Sequence, residues 1–98
     1  MIMGRIYVGY DNIGYVDDND GSVYRGYDKV GCVDNNGYVY QGYDKVGYVE
    51  IGGYVYRGYD RVGNVEINGN VYQGYDRIGY VEGGNILAGG AALLLLLL

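Results

Sequence analysis

The residues with the most chemical capacity come in a triplet, Gly-Tyr-Asp, that starts at Gly9, Gly26, Gly42, Gly58 and Gly74. A tyrosine ring stacks on a sugar or another flat ligand, and a carboxylate accepts hydrogen bonds from hydroxyls. Tyr10, Asp11, Tyr27, Asp28, Tyr43, Asp44, Tyr59, Asp60, Tyr75 and Asp76 are therefore the candidate ligand-binding residues. Such repeated weak sites gain strength by multivalency. The same residues also have an architectural reading. Aspartate favours turns by bonding nearby backbone N–H groups, and Lys29, Lys45, Arg61 and Arg77 follow it as local charge partners.

Other chemistry finds little support. Besides the turn aspartates, most acids close a repeat: Asp17, Asp34, Glu50, Glu66 and Glu82. A catalytic carboxylate pair needs two unlike environments, and residues repeated around a symmetric plan share one. No catalytic residue is assigned, and the chain is not expected to be an enzyme. Asp17-Asp18-Asn19-Asp20-Gly21 looks like a calcium loop, but Gly21 falls where a ligand is required. With no histidine and with Cys32 as the single cysteine, zinc binding, an activated thiol and an internal disulfide have no basis. No metal or cofactor is expected. A formal charge of −5 argues against nucleic acid as a partner.

The elements that must position these residues follow from the repeat. The triplets are spaced by 17, 16, 16 and 16 residues. Each unit reads x-[VI]-Y-x-G-Y-D-x-[VI]-G-x-V-[DE]. Valine, isoleucine and tyrosine dominate without a helical stripe, which predicts strands. Asn36-Gly37, Gly52-Gly53, Asn68-Gly69 and Gly83-Gly84 join successive units, with a longer joint at Asp20-Gly21. Two-residue type I′ turns suit these pairs. Centring one on Asn36-Gly37 sets Val33 opposite Tyr40 and Asp34 opposite Val39. A second turn centred on Tyr27-Asp28 sets Tyr24 opposite Gly31, the ring covering the glycine. Strict alternation then puts Val30 and Val33 on opposite faces, so either both faces are partly buried or a bulge intervenes.

The expected fold is all-β: five β-hairpin repeats of about 16 residues in a closed radial, pseudo-fivefold arrangement, with a short apolar C-terminal helix or plug. A linear meander is the alternative. Residues 1–90 form the five-hairpin domain and 91–98 the apolar leucine tail. Asn85-Ile86-Leu87-Ala88-Gly89 repeats the pattern of Asn70-Val71-Tyr72-Gln73-Gly74, as if a sixth unit began, and Gly89-Gly90 reads as a hinge before the tail. The apolar run from Ile86 is shorter than the roughly 20 residues a membrane-spanning helix needs. The tail can plug the ring, drive homo-oligomerisation through Leu93–Leu98, or touch a membrane surface. The N-terminal Met1-Ile2-Met3-Gly4-Arg5 lacks the apolar run of a secretory signal, so the default location is cytoplasmic.

The repeated Val-Tyr-x-Gly-Tyr-Asp-x-Val-Gly-x-Val-Glu, with the Gly-Ala-Leu tail, resembles the small bacterial five-fold β-flower proteins across Gly4–Leu98. The Gly-Tyr-Asp turn departs from the more polar, serine- and glycine-rich loop expected there. The family has no assigned activity, so the resemblance implies a fold alone. A weaker similarity is to MORN repeats, which share Tyr-x-Gly but are longer and use Trp and Phe. The functional expectation is a non-catalytic structural or protein-interaction module. The alternative is a multivalent lectin-like module using the Gly-Tyr-Asp turns.

Overall fold

The computed structural model describes residues 3–98; Met1 and Ile2, which open both the 1–90 domain and the stretch weighed as a signal, lie outside the described residues. The strands are β1 (Met3–Val8), β2 (Asp11–Asp17), β3 (Ser22–Arg25), β4 (Asp28–Val33) and β5 (Tyr38–Gln41). They continue with β6 (Asp44–Val49), β7 (Tyr54–Arg57), β8 (Asp60–Val65), β9 (Asn70–Gln73) and β10 (Asp76–Glu82). Each pairs antiparallel with its sequence neighbours, and β1 closes on β10 through Arg5–Glu82, Ile6–Val81 and Tyr7–Tyr80. The result is a closed barrel without free sheet edges. Its extents of 31 × 30 × 20 Å are those of a squat ring. An exposed ion pair, Arg5–Glu82 at 3.6 Å, lies across the closing seam, where screening leaves it worth about 0–1 kcal/mol.

The registers differ from the sequence expectation at both kinds of turn, by one residue at the joint and, at the inner turn, by two residues before the bulge and one beyond it. Val33 faces Val39, and Cys32 faces Tyr40. The joint is a three-residue loop, with the Gly37 N–H donating to the Asp34 carbonyl (3.1 Å) and the Asp34 N–H to the Tyr38 carbonyl (2.9 Å). Gly37 has φ +89°, and among the described residues no non-glycine has positive φ. A type I′ turn, which needs two such residues, is therefore excluded at Asn36-Gly37. Asp34 Oδ1 fills the turn by accepting from the N–H groups of Asn36 (2.9 Å) and Tyr38 (3.0 Å).

The inner turn centres on Gly26-Tyr27, since Arg25 pairs with Asp28. Only Gly26 has positive φ, +61°, as in a type II′ turn. Consequently Val23 faces Gly31 and Tyr24 faces Lys29, so the expected tyrosine-over-glycine pairing is replaced by valine over glycine. The register shift between Val23 and Tyr24 skips Val30, which is the bulged residue. The corresponding shift recurs in all five hairpins. A bulge in each hairpin increases local twist and bends the strand, which helps a ring of very short strands to close.

The lumen is filled by the C-terminal segment. Helix α1 (Ile86–Ala92) is followed by a π-helical segment, Leu93–Leu97. The apparent sixth unit is the helix start: Asn85 is the N-cap, its Oδ1 accepting from the Ala88 N–H at 3.0 Å. The Asn85 N–H donates in turn to Asp18 Oδ1 at 3.2 Å. That contact gives the longer first joint a purpose, as it anchors the helix entry. Gly89 and Gly90 are helical and do not form a hinge. A Cβ on Gly89 would come 2.5 Å from Val81 Cγ1, and one on Gly90 would overlap Val65.

Large and small residues alternate between barrel and helix. Where the unit-closing Val65 and Val81 point inward, the helix carries glycine. Where the strands carry glycine, the helix carries leucine. A Cβ added to Gly79, Gly63, Gly47, Gly31 or Gly14 would lie 2.6–3.2 Å from a terminal methyl of Leu93, Leu94, Leu95, Leu96 or Leu97 respectively. Each leucine thus serves one hairpin. An α-helix advances about 100° per residue, too far for five consecutive residues to meet five equally spaced targets about 72° apart. The wider turn, closed by the Leu98 N–H to the Leu93 carbonyl (3.2 Å), shortens the step toward that spacing.

Leu93–Leu97 are buried, each worth about 1.5–3 kcal/mol relative to exposure. Of the tail leucines, only Leu98 remains exposed for the expected oligomer contact. No helix among the described residues is long and apolar enough to cross a membrane.

Candidate functional site: the Gly-Tyr-Asp rim

The two ends of the barrel differ. The joints and the start of α1 occupy one end. The five Gly-Tyr-Asp turns occupy the other, together with the end of the helical segment. Arg25, next to one of these turns, donates from Nη2 to the Leu97 carbonyl at 2.6 Å. Arg57, in the equivalent place two hairpins on, reaches the Leu94 carbonyl at 3.5 Å. Cations at a helix C-terminus satisfy carbonyls that lack intrahelical partners.

Tyr10, Tyr27, Tyr43, Tyr59 and Tyr75 stand on this rim with relative exposures of 100–104%. The turn puts each ring at the second central position of a two-residue loop, where no neighbouring strand can cover it. Asp11, Asp28, Asp44, Asp60 and Asp76 start the following strands and are exposed. The expected pairing of turn aspartate with the next cation is not what the cations do in two hairpins. Lys45 Nζ lies 4.3 Å from the centroid of Tyr38, and the Arg61 guanidinium lies 4.6 Å from that of Tyr54. Both are within cation–π range.

Below the rim, the outer face carries a second tyrosine belt across the seams between hairpins. Tyr15 stacks on Tyr24, and Tyr48 on Tyr56, with centroids 4.9 Å apart in each case. At the equivalent places Cys32 faces Tyr40 and Asn64 faces Tyr72. Burial and the nearby Glu50 carboxylate hold the Tyr48 phenol above its ordinary value of 10.0, so it is a neutral hydroxyl at neutral pH.

The rim also has clefts that the triplets alone did not reveal. One, of about 330 Å³, lies between Lys45, Gly47 and Tyr48 of one hairpin and Gly58 and Tyr59 of the next. Another, of about 390 Å³, lies between Arg77, Ile78, Gly79 and Tyr80 of the last hairpin and Gly9 and Tyr10 of the first. The two are related by the repeat. In both, the exposed tyrosine is joined by residues of the preceding hairpin, whereas its own aspartate is not part of the lining.

At the opposite end, the acids of the calcium-like loop are occupied in the turn. Asp17 Oδ1 accepts from the Asn19 N–H and Asp20 Oδ1 from the Ser22 N–H, both at 2.9 Å. Bonds from Ser22 hold the Asp20 carboxyl below its ordinary range. Among the described residues no three metal-ligating side chains come together. No family model, no curated protein and no solved structure matches this chain.

Proposed function

We propose that this chain is a non-catalytic, multivalent binding module whose contact surface is the Gly-Tyr-Asp rim, with carbohydrate as its ligand class. The observation that carries the reading is the full exposure of five equivalent tyrosines on one end of a rigid ring. A single exposed ring needs no explanation, but apolar groups gathered on one surface mark an interaction site, and here the fold presents one ring per hairpin on the same end. The tyrosines are free of any packing duty that would explain their identity. The aspartates beside them supply acceptors for sugar hydroxyls. The ring of five hairpins with an apolar tail also accords with the resemblance to five-fold β-flower proteins, which adds no activity to the reading.

A glycan array tests it. The intact chain is expected to retain a subset of glycans, and replacing all five rim tyrosines by serine is expected to abolish retention. Each replacement is a surface change worth within about 0.5 kcal/mol, so the variant should fold. Absence of any retained glycan at millimolar concentration would refute the proposal, as would retention that survives the five replacements.

A further inference from the structure

The five seams between hairpins are not chemically equal, and their differences follow from two variable positions in the repeat. The first follows the triplet and is Asn12, Lys29, Lys45, Arg61 or Arg77. The second follows the strand glycine and is Tyr15, Cys32, Tyr48, Asn64 or Tyr80. Each seam is completed by the rim tyrosine of the next hairpin. A cation at the first position and a tyrosine at the second coincide at only two seams. These are Lys45 and Tyr48 with Tyr59, and Arg77 and Tyr80 with Tyr10, the residues that line the two clefts. The other seams lack the cation (Asn12 with Tyr15) or the ring at the second position (Lys29 with Cys32, Arg61 with Asn64).

We propose that these two clefts are the principal ligand sites, each holding one six-membered sugar ring that carries a carboxylate, of the uronic-acid class. This rests on the carbohydrate-binding reading above. The sugar's C–H face lies on the tyrosine rings, and its carboxylate accepts charge-assisted hydrogen bonds from Lys45 or Arg77. Gly47 and Gly79 contribute backbone to the floor of the clefts, since the Cβ direction of each is turned inward toward Leu95 and Leu93. A cationic lining selects against a neutral sugar, and the turn aspartates, which would repel a carboxylate, are outside both linings. The Arg77 site is expected to be the tighter. Its guanidinium can engage a carboxylate with two parallel bonds, whereas Lys45 is shared with the Tyr38 ring.

Calorimetric titration of the full chain with sodium glucuronate, and with glucose as the neutral counterpart, tests the assignment. Glucuronate is expected to bind with a stoichiometry of two, and glucose about tenfold more weakly, the discrimination that loss of one charge-assisted bond supports. Lys45→Met and Arg77→Met are each expected to remove one site. Cys32→Tyr is expected to raise the stoichiometry to three, since that seam already has Lys29 and Tyr43. Circular dichroism melting of each variant checks that a lost site is not a lost fold. Equal binding of glucose and glucuronate, a stoichiometry of five, or indifference to Lys45→Met and Arg77→Met would overturn the assignment. Retention of neutral glycans on the array without glucuronate binding would overturn it while leaving the rim reading intact. Absence of all glycan binding would overturn both.

Discussion

The pairing of one leucine with one hairpin can be tested by asking which glycine each leucine feels. Leu95 is buried, and a Cβ on Gly47 would lie 2.8 Å from its Cδ1. Leu95→Ala removes a packed side chain and is expected to cost about 2–5 kcal/mol. Gly47→Ala overfills the same place and is expected to cost about 1–3 kcal/mol. It also meets the Tyr56 carbonyl, which cannot swing away as a leucine methyl can. In the double variant the added methyl occupies part of the space that Leu95 vacates, so the losses should not add. The carbonyl contact remains, which limits the recovery, and a coupling of about 0.5–2 kcal/mol is expected. Gly14 provides the control, because its neighbour in the lumen is Leu97. Gly14→Ala with Leu95→Ala should be additive to within about 0.5 kcal/mol. Urea unfolding followed by tyrosine fluorescence gives all the required free energies. Equal coupling of Leu95 to both glycines would refute the one-to-one assignment. So would a Leu95→Ala cost below about 1 kcal/mol, which would mean that the leucine is not packed as described.

Three further outcomes are expected from unfolding measurements. Gly42→Ala should cost about 1–2 kcal/mol from its left-handed backbone alone, as φ is +64° with nothing near the added methyl; Gly37→Ala should cost more, because the Val49 carbonyl lies 2.5 Å from that position. Arg25→Ala should destabilise by about 1 kcal/mol and by more than Arg57→Ala, since its bond to the helix end is 2.6 Å against 3.5 Å. The Asp20 carboxyl is held below its ordinary value of 3.8, chiefly by hydrogen bonds from Ser22. Its contribution is therefore full above the ordinary carboxylate value and is lost as pH falls through the lowered one. Stability measured on acidification should fall less steeply in that window for Asp20→Asn than for the parent.

The five hairpins, the closed ring and the apolar plug were legible because each is a matter of counting: a fixed period, a turn signal at each joint and a leucine run too apolar to leave in water. The turn centres were not. Asn36-Gly37 fits both a two-residue turn and the last two places of a three-residue loop, and only the backbone at Asn36 separates them. A shift of one residue then changed every facing pair, so Val23 rather than Tyr24 came to cover Gly31. The start of α1 was hidden by likeness to the repeat, since asparagine followed by an apolar pair opens a strand at Asn70 and caps a helix at Asn85. Full exposure of the rim tyrosines could not be read from composition, as the same residue packs in the belt below. The clefts do not show in the triplets taken singly, because each cleft combines residues of two hairpins. The signal that could have found them is the variation at Tyr15, Cys32, Tyr48, Asn64 and Tyr80, read against the cation in the same hairpin.

The leucine run also fixes how many hairpins the ring can hold. Repeat proteins commonly change length by duplicating or losing a unit, since each unit contacts only its neighbours. Here every hairpin also contacts its own residue on a shared axis. A four-hairpin ring would leave one of Leu93–Leu97 without a glycine to enter, and a six-hairpin ring would need Leu98, now exposed, drawn inward as a sixth contact, together with a smaller angular step. The plug therefore acts as a gauge of copy number. Gain or loss of a hairpin calls for a matching adjustment of the tail, which for the first hairpin lies at the far end of the chain, where Leu97 meets Gly14.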